Sequence, residues 1–104
     1  SFFVCRNCGQ KVFEIAFGTK NRNHCPFCLC SLHVDLEVGD RKSECGGIML
    51  PVGKFYKSDG EEMLVHKCKV CDFIRWNRVA GDDSEDELEK LPVLLNDLNI
   101  PKTQ

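Results

Sequence analysis

Two short stretches, Cys5-Arg6-Asn7-Cys8-Gly9 and Cys25-Pro26-Phe27-Cys28, decide how this chain folds. A C-x-x-C turn suits a tetrahedral metal ion because it aims two thiolates from one tight loop at a single centre, while loop amides donate hydrogen bonds to the sulfurs. Gly9 eases the first turn, and Pro26 fixes one backbone angle of the second. Sixteen residues separate Cys8 from Cys25, within the spacing of a four-cysteine zinc site. Between them, Lys11-Val12-Phe13-Glu14-Ile15-Ala16-Phe17-Gly18 is rich in strand formers and gives way to turn residues at Gly18-Thr19-Lys20-Asn21. A strand that returns through a loop to a second knuckle is the plan of a zinc ribbon. The expected ligands of this first site are Cys5, Cys8, Cys25 and Cys28.

The second half repeats the idea with a different ligand set. Cys45 precedes Gly46-Gly47 and the strand-like run Ile48 to Tyr56, Ser58-Asp59-Gly60 makes a turn, and Met63-Leu64-Val65-His66 leads to Cys68-Lys69-Val70-Cys71. A hairpin centred on residues 59 and 60 brings position 45 close to positions 68 to 74. Three thiols then meet, and the fourth ligand comes from His33, His66, Cys30 or His24. His66 lies on the strand two residues before Cys68 and must reach along it, whereas His33 and Cys30 arrive from the first half without that limit. His33 is preferred, then His66, then Cys30, because Cys₃His is an ordinary structural zinc set. An interleaved pairing of the first knuckle with the third is also compatible with the spacing.

Zinc also fits the size of the chain. With 104 residues, 42% of them hydrophobic, and one Trp and one Tyr, it buries a modest core that metal or disulfide cross-links must supplement. Eight cysteines arranged as C-x-x-C pairs beside three histidines favour metal in a reducing compartment such as the cytoplasm over a secreted disulfide framework. No apolar run reaches the length of a membrane-spanning helix, and Ser1-Phe2-Phe3-Val4 runs into Cys5 without the features of a secretory signal. The expected fold is therefore a small, zinc-dependent, mainly β domain. It has two zinc-ribbon or zinc-knuckle modules with short hairpins, two Zn²⁺ ions, and an acidic tail with a short C-terminal helix.

The charge divides along the chain. Residues 1–81 hold 12 Lys+Arg against 9 Asp+Glu, a balance of +3, and residues 82–104 hold 2 against 7, a balance of −5. The change falls at Gly81-Asp82-Asp83-Ser84-Glu85-Asp86-Glu87, a charge run that reads as the edge of the ordered domain. This places a body at residues 1–81, its first site in 1–32 and its second in 33–81, and an acidic tail at 82–104. In the tail, Leu88, Leu91, Leu94, Leu95 and Leu98 recur at roughly helical spacing. Pro92 disfavours a helical Leu91, so the expected helix runs from Pro92 to Leu98, and its leucines offer a contact for a protein partner.

At Arg22-Asn23-His24-Cys25-Pro26 the chain spells the letters that name the RNHCP domain family, and it resembles that family over about residues 3 to 83. Further matching pieces are Cys5-x-x-Cys8-Gly9, His33-Val34-Asp35, Gly39-Asp40-Arg41, Cys45-x-Gly47-x-Met49-x-Pro51, His66-x-Cys68-x-x-Cys71 and Asn77-Arg78-Val79-Ala80-Gly81-Asp82-Asp83. The resemblance implies a small zinc-ribbon-like domain and carries over no activity. It includes both His33 and His66. Cys30 departs from the pattern, which lowers it as a ligand, and Asp72 stands where a knuckle usually has glycine. His24 is read as a hydrogen-bond donor or packed ring beside the metal. Arg22 and Asn23 either hold the loop through carbonyls or present a charged fork to phosphate.

Catalysis finds little support in the residues. A catalytic zinc keeps an open position and a nearby carboxylate base, whereas the ligands here suffice for two full shells, and nucleophile or phosphate-loop motifs are absent. No small-molecule substrate is evident. Basic residues beside the knuckles (Arg6, Lys11, Lys20, Arg22, Arg41, Lys42, Lys67, Lys69, Arg75 and Arg78), with Phe27, Phe73 and Trp76 nearby, point to an RNA-associated accessory protein of the ribosome or translation machinery. The alternative is a protein-interaction module in which zinc only stabilises the fold.

Overall fold

Three tight turns, each closed by the same pair of backbone hydrogen bonds, organise the chain. The computed structural model describes residues 1–17, 22–34 and 42–94. In the first turn the Cys5 amide donates to the Gln10 carbonyl and the Gly9 amide to the Cys5 carbonyl. The same two bonds recur from Cys25 to Cys30 and from Leu29 to Cys25, and again from Cys68 to Phe73 and from Asp72 to Cys68. The residue four after the leading cysteine is left-handed in all three: Gly9 at φ 79°, Leu29 at 65° and Asp72 at 63°. Asp72 is therefore no irregularity, since a short polar side chain tolerates this conformation.

The first turn joins β1 (Phe2–Val4) to β2 (Lys11–Phe13), an antiparallel ribbon with Phe2 opposite Phe13 and Phe3 opposite Val12. Alternation sends Phe3 and Val12 inward against Cys5, Cys25 and Cys28, and leaves Phe2, Val4 and Phe13 exposed. The strand-like run expected from residue 11 to 18 is strand only as far as Phe13.

The second sheet has the order β3-β4-β5-β6, all antiparallel, from β3 (Ser31–Leu32), β4 (Ile48–Tyr56), β5 (Glu62–Cys68) and β6 (Ile74–Arg78). The β4–β5 hairpin turns at Asp59-Gly60, with Gly60 at φ 92°, and its register places Met49 opposite Cys68. One residue of slip at Val52 is absorbed as a bulge between Pro51 and Gly53. Leu64 of β5 packs with Leu29 of the second turn and with Leu88.

Leu88 belongs to α1 (Glu85–Glu89), capped by the Ser84 hydroxyl, which accepts from the Glu87 amide. The helix thus lies in the acidic run and not at Pro92–Leu98. Pro92 is non-helical, Val93 forms a parallel bridge with Lys54, and residues 95–98 of the expected helix lie outside the described residues. The chain beyond residue 81 also packs on the body. Ser84 donates to the Pro26 carbonyl, the buried Lys54 Nζ donates to the Leu88 carbonyl at 2.7 Å, and Leu94 lies over Gly53. A charge count treats Asp and Glu as solvated, whereas Asp82 and Asp83 meet the buried Arg22 and His24.

Candidate metal centres

The turns aim their sulfurs as the spacing requires. Cys5, Cys8, Cys25 and Cys28 gather in one cluster, and His33, Cys45, Cys68 and Cys71 in another, each with one ligand atom per residue within 4.8 Å of the others. In the first, Sγ of Cys5 lies 3.6 Å from that of Cys28, and Cys8 the same distance from Cys25. In the second, Cys45 and Cys68 are 3.7 Å apart and Cys71 Sγ is 3.3 Å from His33 Nδ1. These separations are too long for a disulfide of about 2.05 Å. A tetrahedral ion with bonds of about 2.3 Å sets its sulfurs about 3.8 Å apart, close to what is seen. The pairing is sequential, not interleaved.

The surroundings fit a cation held by thiolates. Amides of Asn7 and Cys8 donate to Cys5 Sγ at 3.4 and 3.5 Å, and that of Phe27 to Cys25 Sγ at 3.3 Å. Burial opposes ionisation of Cys28, but hydrogen bonds from the Cys30 amide and the Asn7 side chain outweigh it and bring the thiol down to about 7. Burial dominates at Cys25 and pushes its thiol up. Four sulfurs this close in a half-dry pocket need a positive charge among them to be thiolates together.

His33 and Gly47 complete the second centre. The imidazole of His33 stacks on Phe73, ring centroids 4.7 Å apart and planes within 4°, and Arg75 lies 4.7 Å from the same phenyl ring. This column fixes the plane of the ring whose Nδ1 faces Cys71. Gly47 passes so near Cys68 that a Cβ would stand 2.8 Å from its Sγ and 2.8 Å from Val70, so the chain leading from Cys45 into β4 must be bare at that point.

The other candidates fall outside both clusters. His66, fully buried on β5, donates from Nε2 to the Leu29 carbonyl at 2.6 Å and pairs through Nδ1 with the Asn77 side-chain amide. Burial, assisted by the nearby His24, lowers its pKa to about 3, so it is neutral. Cys30 is buried beside the first cluster, its thiol raised to about 12 by burial and by neighbouring thiolates. His24 bonds Asp83, with Nε2 at 2.8 and 2.9 Å from the two carboxylate oxygens. Arg22 is buried and forks onto Asp82 at 2.7 and 3.0 Å, while Asn23 donates to the Leu32 carbonyl. Asp83, which the charge pattern reads as part of a solvated run, accepts from the Ala80 amide as well. Its place at the end of the family-like stretch Asn77-Arg78-Val79-Ala80-Gly81-Asp82-Asp83 is the signal that the sequence offers.

Ribbon, sheet and two four-donor clusters define a small mainly β domain with two candidate metal centres. A family model described as the RNHCP domain matches residues 1–89, and the chain belongs to that family. No curated protein and no solved structure matches it. The residues that spell the family name serve the join between the first centre and the segment after 81: Arg22 and His24 reach Asp82 and Asp83, and Cys25 stands in the cluster.

Proposed function

We propose that this protein is an interaction module in which two structural zinc ions hold a small β domain whose apolar surface docks another protein. Zinc suits four-thiolate and three-thiolate-one-imidazole sets with tetrahedral spacing, and four protein donors per ion leave no position open for a substrate. The reading is accordingly non-enzymatic.

The observation that carries the docking role is the outward face of the first ribbon. Phe2 and Phe13, cross-strand partners, are 51% and 63% exposed, and Val4 is exposed beside them. Large apolar groups so exposed on a folded surface mark contact with another molecule.

The basic residues argue less well for RNA. Arg22 and Arg75 are buried, Arg78 pairs with Glu61, Lys67 lies 3.9 Å from Asp72, and Lys11 lies over the Phe2 ring. Zinc also changes the balance: four thiolates around one Zn²⁺ carry −2, and three with a neutral imidazole carry −1. Together they cancel the +3 of residues 1–81. A loaded body without net positive charge lacks the electrostatic footprint of nucleic-acid binding.

Elemental analysis of the purified chain under reducing conditions tests the metals, with two zinc per chain expected. One ion, or iron in place of zinc, overturns that part. Sedimentation with ribosomes at graded salt, with and without ribonuclease, tests the partner. Association that ribonuclease and salt both abolish returns the RNA reading.

A further inference from the structure

The exposed phenylalanines around the first centre stand beside the acidic segment that follows residue 81. Gly81 donates its amide to the Phe17 carbonyl at 2.6 Å, and a Cβ on Gly81 would lie 3.0 Å from that of Phe17. Arg22 links the Phe13 carbonyl to the Asp82 carboxylate. Ser84 donates to the carbonyl of Pro26, the residue before Phe27. The chain at Phe13, Phe17 and Pro26 thus meets the segment 81–84, and the side chains of Phe13, Phe17 and Phe27 are exposed, Phe17 with 90% of its surface.

The segment that these residues meet runs on into an acidic stretch. Residues 81–89 contain no Lys, Arg or His, and Asp82, Glu85, Asp86 and Glu89 are exposed. Lys90 bonds Glu87 at 2.7 Å, and Arg22 is spent beneath the surface on Asp82. The four thiolates of the first centre add a formal −2 once zinc is bound.

We infer that this face takes a basic amphipathic segment of a partner protein, with apolar side chains seated among Phe13, Phe17 and Phe27 and Lys or Arg meeting the acidic stretch. The inference rests on the interaction-module reading and names the partner's chemistry. Complementary charge selects among apolar partners by favouring one and repelling the rest. RNA and anionic lipid would bring phosphate against carboxylates, and a second copy of this face would set two acidic stretches against each other. A basic partner alone gains from both features.

The test uses the zinc-loaded chain and three fluorescent 18-residue peptides that share one apolar face of Leu and Phe and carry Lys, Gln or Glu on the other. Anisotropy titrations at low salt are expected to give at least tenfold tighter binding of the Lys peptide than of the Glu peptide, with Gln between, and the gap narrowing as salt rises. Phe17→Ser and Phe27→Ser, both at exposed positions, are expected to weaken all three peptides severalfold. The triple variant Glu85→Gln, Asp86→Asn, Glu89→Gln is expected to remove the advantage of Lys over Gln while leaving Gln binding unchanged. Zinc content and circular dichroism confirm that each variant folds. Equal affinity for the Lys and Glu peptides, still sensitive to Phe17→Ser, would overturn the basic partner and leave an apolar docking face. Lys binding that ignores both serine variants is charge attraction alone and overturns the site. If the phenylalanine variants instead abolish binding of a labelled single-stranded RNA and of no peptide, the interaction-module reading falls with it.

Discussion

His24 directs one ring nitrogen at both carboxylate oxygens of Asp83, 2.8 and 2.9 Å away across fifty-nine residues of sequence. Both side chains are buried, and the Asp83 carboxylate also accepts from the Ala80 amide and lies 3.5 Å from Arg22. The bond ties the second knuckle, through the residue before Cys25, to the segment that carries α1. It makes a strap out of what charge alone describes as a tail.

Removing the carboxylate leaves the buried His24 ring and the Ala80 amide without their acceptor and takes one of two carboxylates from beside the buried Arg22, a loss of about 3–5 kcal/mol. Asp83→Ala is expected to lower the melting temperature of the zinc-loaded protein by ten degrees or more, at about 4–8 °C per kcal/mol for a domain of this size. Asp82→Ala removes a half-exposed carboxylate while Asp83 and the His24 and Phe13 carbonyls still face the buried Arg22, and is expected to cost less, about 1–2 kcal/mol. Thermal unfolding by circular dichroism compares the two, and equal costs would sink the distinction.

His33 and His66, also buried, make a second contrast. His33 Nδ1 stands beside Cys71, whereas His66 is engaged by the Leu29 carbonyl and Asn77. His33→Ala is expected to reduce zinc from two ions per chain to one, or to weaken the second by a large factor. His66→Ala is expected to keep both ions and lose about 1–3 kcal/mol of stability, since the Leu29 carbonyl loses its donor and a cavity is left in the core. Native mass spectrometry counts the ions and urea unfolding gives the stability. A His66→Ala chain that holds one zinc would reverse the assignment.

These contrasts show what the sequence makes legible. A C-x-x-C turn is a local object, and its geometry follows from a handful of neighbouring residues, so the three knuckles and the β4–β5 hairpin can be read directly. The preference for His33 over His66 rests on a local rule as well: His66, two residues before Cys68, shares its face but must reach along the strand to a metal at the strand's end. What stayed hidden is either too short or too distant. The three residues of β1 and the two of β3 are too few to show a period. The pairing of Arg22 and His24 with Asp82 and Asp83 spans the whole domain, so the acidic run looked solvated and the helix was placed after Pro92. Leu88 follows the same logic: its burial depends on Leu29 and Leu64, one from each half of the chain.

Adjacent glycines before β4 separate two reasons for the same residue. Gly46 is left-handed at φ 64° with open space where a Cβ would be, while Gly47 has no room against Cys68 Sγ and Val70. Gly46→Ala is a backbone cost of about 1–2 kcal/mol that leaves the ligands where they are. Gly47→Ala must displace the sulfur or the chain, and is expected to weaken metal at the second centre by tenfold or more while sparing the first. Cobalt substitution reads each centre separately, because three sulfurs with one nitrogen and four sulfurs give different visible spectra. Equal loss at both centres would mean that Gly47 acts on the whole fold.

Cys30 offers the sharpest test of the ligand count, because it is the cysteine that neither cluster contains. It is buried, and burial raises its thiol and shields it from reagents, so it is a poor nucleophile at neutral pH. In the zinc-loaded protein the other seven thiols are held by metal under the proposed assignment. Brief treatment with N-ethylmaleimide is therefore expected to modify none of the eight cysteines in the loaded chain and all eight after chelation and unfolding. Cys30→Ala is expected to keep two zinc ions and to change stability by about 1 kcal/mol, the cost of a small cavity. If that variant instead binds one ion, Cys30 supplies a ligand, and the first centre must release one of Cys5, Cys8, Cys25 and Cys28 to make room for it.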